Sequence, residues 1–326
     1  MKFYDQYGFL PAKELMAQAM AGRYAVPALN FISMEQLNAI VDAMISRNSS
    51  AIVMVAPKHC RQFETQLLVR MAQAALERLI REGSPARLAL HLDHGASFED
   101  CKNAIDHGFS SVMIDGSGLS LEENMALTKR VVEYAHPYGV TVEGEVGALS
   151  GAEDRDAAGG QSLYTQPQDA ERFVRETGVD CLAVSVGTMH GLKKTEGNDL
   201  AFRGLRYDLI EEISQRIPET PLVLHGCSAL PSKYVHMINQ YGGRLEKQIG
   251  IPDEQMLKAS QTAVCKINIA SDGWLPSIAI TRKVLAEQAE TIDSRAYRRE
   301  IREELKLIYE HKMDIFHSSG TALMER

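Results

Sequence analysis

Short apolar runs rich in valine and isoleucine recur along the chain, and the segments between them have the apolar spacing of amphipathic helices. Short continuous apolar runs are typical of strands that are buried on both faces, as in a parallel sheet. Eight such runs occur, at Tyr24–Asn30, Ala51–Ala56, Leu88–Asp93, Ser111–Asp115, Val140–Glu145, Cys181–Val186, Leu222–His225 and Val264–Ile269. The pattern therefore predicts a parallel sheet built from these runs.

Helical periodicity between the runs predicts helices at Met34–Arg47, Phe63–Arg81, Leu121–Pro137 and Asp169–Thr177, with Gly178 as the stop of the last one. Eightfold alternation of strand and helix predicts an α/β fold, a closed (β/α)8 TIM barrel with additional C-terminal helices. An open doubly wound sheet is the alternative, but neither nucleotide-binding glycine motif follows any run. We expect one domain over residues 1–326, with a helical insertion at about 233–263 and a helical tail at about 282–326.

Composition narrows the range of partners. The net charge is −8, and no cluster of lysine and arginine is present that could neutralise several phosphates of a nucleic acid. The sequence contains neither a secretion signal nor an apolar stretch of about 18 residues, so we expect no export, no membrane partner and no nucleic-acid partner. The five cysteines are widely spaced and form no C-x-x-C pair, which favours the reducing cytoplasm.

Reactive side chains lie at the ends of most predicted strands. This position matters because the active sites of α/β barrels lie at the C-terminal ends of their strands. Three histidines that converge while leaving a fourth position open describe a catalytic rather than a structural zinc site. The histidines that follow strands three, six and seven are His94, His190 and His225, and the carboxylates among them are Asp93, Asp115 and Glu145. The sequence thus predicts a divalent metal at the mouth of the barrel.

Two histidines on strand three compete for the place of metal ligand. Strand alternation puts His91 on the same face as Asp93, so Asp93 and His94 can both face the mouth only if the strand breaks. Gly95 makes such a break easy, so we prefer His94 as the ligand and expect His91 in the barrel interior or behind the ligands. The other six histidines, His59 among them, lie in helical or tail segments or at helix ends, where we expect ordinary structural roles.

Glycine-bearing loops follow the last three predicted strands, at residues 187–191, 225–228 and 268–271. Backbone N–H groups and hydroxyls in such loops can surround a phosphate, and barrels commonly bind phosphate near strands seven and eight. We therefore expect a small sugar phosphate as the ligand. The polar stretch at residues 149–160 is long enough to form a lid over the mouth.

Six motifs occur in a fixed order along the chain. They are His91-Leu-Asp93-His94-Gly, Ser111-Val-Met-Ile-Asp115-Gly-Ser117, Val142-Glu-Gly-Glu145-Val-Gly147, Gly187-Thr-Met-His190-Gly191, Leu224-His225-Gly-Cys-Ser228 and Lys266-Ile-Asn268-Ile-Ala. This combination resembles the class II, zinc-dependent fructose-bisphosphate and related ketose-bisphosphate aldolases, from about residue 27 to about residue 320. The resemblance implies reversible cleavage of a ketose 1,6-bisphosphate, expected to be fructose 1,6-bisphosphate, to dihydroxyacetone phosphate and an aldehyde such as glyceraldehyde 3-phosphate.

The resemblance also implies roles for single residues. His94, His190 and His225 match the Zn2+ ligands, and Asp115 and Glu145 match carboxylates that hold or relocate the metal. Asp93 matches the acid/base that handles the C4 hydroxyl, and Glu153 resembles the lid glutamate that exchanges a proton on the dihydroxyacetone phosphate carbon. Asn30 and Ser49 resemble polar contacts at the mouth. The residues that match the neighbourhood of the phosphate and of a monovalent cation, Na+ or K+, are Gly191, Lys194, Gly226, Ser228, Asn268 and Ser271.

Several alternatives stay open at this point. Ala270 stands where fructose-bisphosphate members usually have aspartate, and in this it is similar to the tagatose-bisphosphate branch. A Schiff-base aldolase could use Lys266 or Lys194, although an internal ion pair is the expected state of Lys266. A metal-dependent hydrolase would need a His-x-His pair after strand one, which is missing. A non-catalytic sugar-phosphate-binding barrel is the alternative from another class. We expect a homodimer or a homotetramer.

Overall fold

Eight parallel strands close into a barrel in the computed structural model of the chain, in the order in which they occur in the sequence. The structure describes residues 3–147, 164–188, 204–246 and 250–324. The strands are β1 (Val26–Asn30), β2 (Ala51–Val55), β3 (Leu88–Gly95), β4 (Ser111–Ile114), β5 (Thr141–Val146), β6 (Cys181–Val184), β7 (Leu222–Leu224) and β8 (Val264–Ile269). The predicted TIM barrel is confirmed.

Helices surround the barrel and alternate with its strands. They are α1 (Ala12–Gly22), α2 (Met34–Arg47), α3 (Pro57–Phe63), α4 (Thr65–Arg81), α5 (Phe98–His107), α6 (Leu121–Ala135), α7 (Pro167–Thr177), α8 (Tyr207–Arg216), α9 (Ser232–Gln240), α10 (Asp253–Ser260), α11 (Ser271–Glu287) and α12 (Arg295–Ile315). Gly178, with a φ of +73°, ends α7 as predicted. The helix predicted at Phe63–Arg81 begins two residues later, at Thr65, because Glu64 adopts a left-handed φ of +63° that separates α3 from α4.

Buried apolar side chains form two main layers. The larger layer lies between the strands and the surrounding helices, and the smaller one fills the barrel interior with inward-facing side chains such as Ile52, Met54 and Val223. Both faces of each strand are therefore covered, which explains why the strands appear in the sequence as nearly continuous apolar runs. Among the helices of the described residues, none has the length and apolarity needed to cross a bilayer.

Helix α1 closes the N-terminal end of the barrel, a feature that the strand pattern did not predict. Its buried residues Leu15 and Met16 pack against the interior layer. The backbone N–H of Lys13 donates to the hydroxyl of Thr141, the first residue of β5, at 3.0 Å. Because Thr141 begins its strand, this contact fixes α1 at the end of the barrel opposite the mouth.

The C-terminal helices pack on the outside of the barrel. Asp42 on α2 accepts hydrogen bonds from Arg302 of α12 at 2.7 Å and from Arg78 of α4 at 2.6 Å, so one carboxylate joins three helices. Helix α11 starts at Ser271, immediately after β8, which is earlier than the limit of about 282 predicted for the helical tail. Helices α9 and α10 lie in the segment where a helical insertion was expected.

Candidate active site

The two adjacent site residues of β3 face the mouth because the strand breaks there. The pairing of β3 with β4 shifts register between Leu92 and Gly95, and His94 adopts a left-handed φ of +52°. Such a backbone costs about 1–3 kcal/mol in a residue other than glycine, so it must be held by its surroundings. A Cβ on Gly95 would lie 2.6 Å from the carbonyl oxygen of Met113, so only glycine fits beside β4. The break expected from the sequence is present.

Two imidazole rings from opposite sides of the barrel meet at this point. Nδ1 of His94 lies 3.0 Å from Oδ2 of Asp115, and Nε2 of His225 lies 2.7 Å from Oε1 of Glu143. These carboxylates can only accept, so each ring donates from that nitrogen and turns its other nitrogen toward the other ring. His94 Nε2 and His225 Nδ1 are consequently 3.0 Å apart.

This separation is close to what a shared metal ion requires. Two nitrogens bound tetrahedrally at about 2.0–2.1 Å would be roughly 3.3 Å apart. Oδ1 of Asp93 lies 3.9 Å from both of these nitrogens. One potential ligand set therefore consists of Asp93, His94 and His225, and a second, overlapping set consists of His94, Asp115 and Glu145. The donor atoms present fit a divalent cation.

The electrostatics of the cluster also favour a cation. Burial raises the pKa of Asp93, but the neighbouring His94 and His225 outweigh it and hold this pKa below its ordinary value. Burial and the Asp115 carboxylate raise the pKa of Glu145 well above its ordinary value. Burial lowers the pKa of His94, but Asp93 and the hydrogen bond to Asp115 outweigh it and raise this pKa to about 10. The carboxylates therefore favour a positive charge on the ring, and a metal ion would bind there in competition with a proton.

A buried polar group beneath the histidines determines how His225 is held. Oε1 of Glu143 accepts from His225, and its Oε2 accepts from the ammonium of Lys266 at 2.7 Å. Lys266 is fully buried, so the internal ion pair expected for it is present. His91 lies beside this pair, 3.5 Å from Lys266 Nζ and 2.7 Å from the Ser111 hydroxyl, in the barrel interior as expected. Burial and the charge of Lys266 lower the pKa of His91 to about 3.

Sequence reasoning gave no role to Glu143. The two-residue spacing of Glu143 and Glu145 could have indicated it, because this spacing puts both side chains on the same face of β5. Lys266 and Asn268 share a face of β8 for the same reason. Asn268 donates to Asp93 Oδ1 at 3.0 Å and lies 3.2 Å from His225 Nδ1, so it sits beside the reactive groups themselves.

The loops after β7 and β8 are joined to each other at the rim. The Ser228 hydroxyl accepts from the backbone N–H of Ser271 at 3.1 Å, and Gly226 adopts a left-handed φ of +67°. The Asp272 carboxylate accepts from the N–H groups of Ala229 and Leu230 at 3.0 and 2.8 Å. Gly226, Ser228 and Ser271 are thus adjacent, in the part of a barrel where phosphate is commonly bound.

Two other predicted contacts have different outcomes. Asn30 ends β1 at the mouth, and its Oδ1 is buried without a hydrogen-bond partner among the described residues. The expectation of a mouth contact is wrong for Ser49: it precedes β2, so it lies at the N-terminal end of the barrel, where its hydroxyl donates to Ser318 at 2.9 Å. Glu153, His190, Gly191 and Lys194 lie outside the described residues.

Unsatisfied polar atoms concentrate at the mouth. Buried polar groups normally have a partner, so exceptions call for a ligand or water. Within the described residues, all but one of the unpartnered buried side-chain atoms lie at C-terminal strand ends or in the loop or first helical turn that follows: Asn30 Oδ1, Glu145 Oε2, Thr188 Oγ1, Asn268 Oδ1 and Trp274 Nε1. The mouth is thus built to bind polar groups.

Comparison with known proteins agrees with this arrangement. The family model "Fructose-bisphosphate aldolase class-II" matches residues 11–321. The chain is 45% identical to a fructose-bisphosphate aldolase of Treponema pallidum over 99% of this chain and 100% of the relative. A fructose-bisphosphate aldolase of Giardia intestinalis is 38% identical over 95% of this chain and 93% of the relative. The crystal structure of the YdjI aldolase from Escherichia coli K12 superposes with a TM-score of 0.73 at 25% identity, covering 96% of this chain and 99% of the other.

The barrel and its histidine–carboxylate cluster define a metal-dependent aldehyde-lyase. The chain belongs to the class II fructose-bisphosphate aldolase family. The resemblance noted from the sequence motifs is therefore confirmed, and so is the assignment to the aldolases.

The position of Glu143 predicts a change in metal affinity. The variant Glu143→Gln should bind a divalent metal about 10- to 100-fold more weakly, because the carboxylate that orients His225 is lost. Competition with a chelator of known affinity measures the change. Glu77→Gln, on the exposed face of α4, is the control and should bind as the wild type does.

Loss of the Glu143 charge alone leaves Lys266 buried without its ion pair, which destabilises the fold. The double variant Glu143→Gln with Lys266→Met removes both charges together and should fold with its metal affinity still reduced. A folded double variant with wild-type affinity would contradict the positioning role of Glu143.

Proposed function

We propose that this protein catalyses the reversible, zinc-dependent cleavage of fructose 1,6-bisphosphate to dihydroxyacetone phosphate and glyceraldehyde 3-phosphate. One observation carries the proposal: Asp93, His94 and His225 bring their donor atoms together at the mouth of a barrel of the class II aldolase family. The names of the Treponema and Giardia relatives support fructose bisphosphate as the substrate.

His94 and His225 would hold the zinc ion, and we assign His190 as the third ligand. Asp115 and Glu145, which share a potential ligand set with His94, would hold or relocate the ion. When bound, zinc supplies Lewis-acid polarisation of the substrate carbonyl oxygen. Two imidazole ligands support a preference for zinc over other divalent ions. In each ring the nitrogen that would not bind the metal is hydrogen-bonded to a carboxylate, which is a usual arrangement at zinc sites.

Asp93 is the proposed base for the C4 hydroxyl. Its lowered pKa keeps the carboxylate ionised, and Asn268 donates to its Oδ1 at 3.0 Å. Because no described residue donates to Oδ2, that oxygen can take the hydroxyl proton while the C3–C4 bond breaks. The electron pair of that bond stays on the dihydroxyacetone phosphate half, so a second acid must return a proton to C3. We assign this step to Glu153.

The phosphate of the ketone half is assigned to the rim after β7 and β8. Gly226, Ser228 and Ser271 support this assignment, since a left-handed glycine and two hydroxyl residues are adjacent there. We assign Gly191 and Lys194 to the same phosphate, together with a monovalent cation, Na+ or K+. Binding at this rim orients the substrate so that its carbonyl faces the metal ligands.

We also propose that the protein acts in the cytoplasm and assembles into a homodimer or homotetramer. All five cysteines are free, as in a reducing compartment. Ile278 and Leu285 lie seven residues apart on one face of α11 with half of each side chain exposed, which supports self-association through that helix.

Removal of the metal tests the mechanism. Dialysis against EDTA should abolish cleavage of fructose 1,6-bisphosphate, and added zinc should restore it, because the carbonyl is no longer polarised without the ion. Cleavage that survives complete metal removal, together with trapping of a lysine adduct by borohydride in the presence of substrate, would favour the Schiff-base alternative.

Replacement of Asp93 tests the base and the non-catalytic alternative. Asp93→Ala should lower kcat by about 10²- to 10⁴-fold, the usual contribution of general base catalysis. Metal content, measured on the same preparation by atomic emission, should remain at the wild-type level if the histidines are the main ligands. Unchanged turnover in the variant, or no turnover in either protein, would instead support a barrel that only binds sugar phosphates.

A second candidate substrate is tagatose 1,6-bisphosphate. Ala270 favours it, because this position follows β8 beside the site and lacks the carboxylate that fructose-bisphosphate members usually carry. We expect the zinc-loaded enzyme to prefer fructose 1,6-bisphosphate, the C4 epimer of tagatose 1,6-bisphosphate, when kcat/KM is measured for both. A higher kcat/KM for the tagatose compound would reverse the assignment.

A further inference from the structure

The loop between β7 and α9 has a strained backbone beside two residues that are assigned to the substrate phosphate. The loop begins at the proposed metal ligand His225 and contains Gly226 and Ser228. Near its end Leu230 adopts a left-handed φ of +49°, although its side chain is only 4% exposed. A residue other than glycine keeps this conformation only where its surroundings fix it. Some contact must therefore hold the end of the loop.

The carboxylate of Asp272 makes that contact. Asp272 lies in the first turn of α11 and is 1% exposed. Its Oδ2 accepts from the backbone N–H of Ala229 at 3.0 Å, and its Oδ1 accepts from the backbone N–H of Leu230 at 2.8 Å. Two successive N–H groups are thus directed at one anion, a backbone arrangement that is typical of anion binding. Loss of this carboxylate would release the loop at the residue where its backbone is strained.

A buried lysine of the C-terminal helix balances this charge. Lys312 of α12 is 2% exposed, and its Nζ lies 3.4 Å from Oδ2 of Asp272 and 3.3 Å from Oδ1 of Asp253. Buried charges require a partner of opposite sign, because burial removes them from water. Helix α12 therefore supports a contact at the rim, although most of this helix packs on the outside of the barrel.

The other side of the loop is also confined. The carbonyl oxygen of Ser228 accepts from the backbone N–H of Ile251 at 3.3 Å, and a Cβ on Gly250 would lie 2.0 Å from the carbonyl oxygen of Ala229. Only glycine fits there, so the segment before α10 packs directly against the loop. The Ser228 hydroxyl accepts from the N–H of Ser271, and no described residue accepts its proton, which is thus available to a phosphate.

We propose that Asp272 is a positioning residue that holds the loop after β7 in the conformation that binds the substrate phosphate, with Lys312 as its supporting cation. The inference rests on the proposed function, which assigns the phosphate of the ketone half to Gly226 and Ser228. Asp272 does not contact the substrate in this proposal. It acts through the two N–H groups that it accepts, so it determines where the Ser228 hydroxyl lies.

Substrate binding and bond cleavage should separate when Asp272 is replaced. Asp93 and His94 are held by β3, and His225 is held by Glu143, so the reacting groups do not depend on Asp272. In the zinc-loaded enzyme, Asp272→Asn should raise KM for fructose 1,6-bisphosphate by about tenfold, the usual effect of losing a charged hydrogen bond. Competitive inhibition by inorganic phosphate should weaken by the same factor. The values of kcat and of zinc affinity should stay within about twofold of the wild type, as expected when only binding is lost.

The variant is expected to fold, because Lys312 keeps Asp253 as a partner at 3.3 Å. Asp42→Asn is the matched control: it removes another carboxylate that joins helices, with hydrogen bonds of 2.6 and 2.7 Å from two arginines, but on the outside of the barrel. This control should lower the melting temperature and leave KM unchanged. An unchanged KM in Asp272→Asn, or an equal rise of KM in both variants, would overturn the positioning role.

Variants of Lys312 provide a second test. Lys312→Met leaves both hydrogen bonds of Asp272 in place but removes the supporting charge, so it should raise KM for fructose 1,6-bisphosphate less than Asp272→Asn does. Lys312→Arg should restore most of the loss, because the positive charge is retained. Lys306→Met, which removes a lysine with a 40% exposed side chain from the same helix, should not change KM. A wild-type KM in folded Lys312→Met would remove Lys312 from the proposal.

A measurement without ligand separates this inference from the proposed function. Hydrogen–deuterium exchange of residues 225–231 should be faster in Asp272→Asn than in the wild type, because the amide offers one acceptor oxygen where the carboxylate offers two. Asp42→Asn should not change exchange in this segment. Equal exchange in the wild type and Asp272→Asn would overturn the inference whatever the substrate. If the wild type does not cleave fructose 1,6-bisphosphate, the aldol function fails, while the exchange still decides whether Asp272 holds the loop.

Discussion

The break in β3 is the constraint on which the site depends. A regular strand would turn Asp93 and His94 to opposite faces, and only one of them could reach the substrate. The left-handed backbone of His94 and the lack of space for a side chain at Gly95 remove this conflict. As a result, a proposed base and a proposed metal ligand that are neighbours in the sequence face the same point. The strain at His94 is balanced by the contacts its ring makes with Asp115 and His225.

Glu143 gives this arrangement its second support. A single carboxylate joins His225 above it to Lys266 below it, so the orientation of the ring is fixed by a charge pair inside the barrel. An ion pair at such depth contributes little net stability compared with apolar residues, since both charges must leave water. Its presence is better explained by the direction it imposes on His225 than by stabilisation of the fold.

Much of this could be predicted from sequence because strand ends and barrel geometry are linked. An apolar run such as Val264–Ile269 predicts a strand, and it also predicts that the polar residues that follow it lie at the C-terminal mouth of the barrel. Ser49 was misplaced because its role was taken from the resemblance alone, although the predicted strand at Ala51–Ala56 already puts Ser49 before a strand and so at the opposite end of the barrel. Helix α1 was missed because its apolar side chains cover the end of the barrel, and no strand precedes it to complete the alternating pattern.

The packed interior of the barrel, with helix α1 beneath it, determines how small molecules reach the reacting groups. The apolar residues of α1 pack against the side chains that fill the barrel interior, so the barrel is open only at its C-terminal mouth. Both products of sugar cleavage must then leave through the mouth by which the substrate entered. The order of product release consequently depends on which product lies nearer the mouth and on how tightly each product is bound.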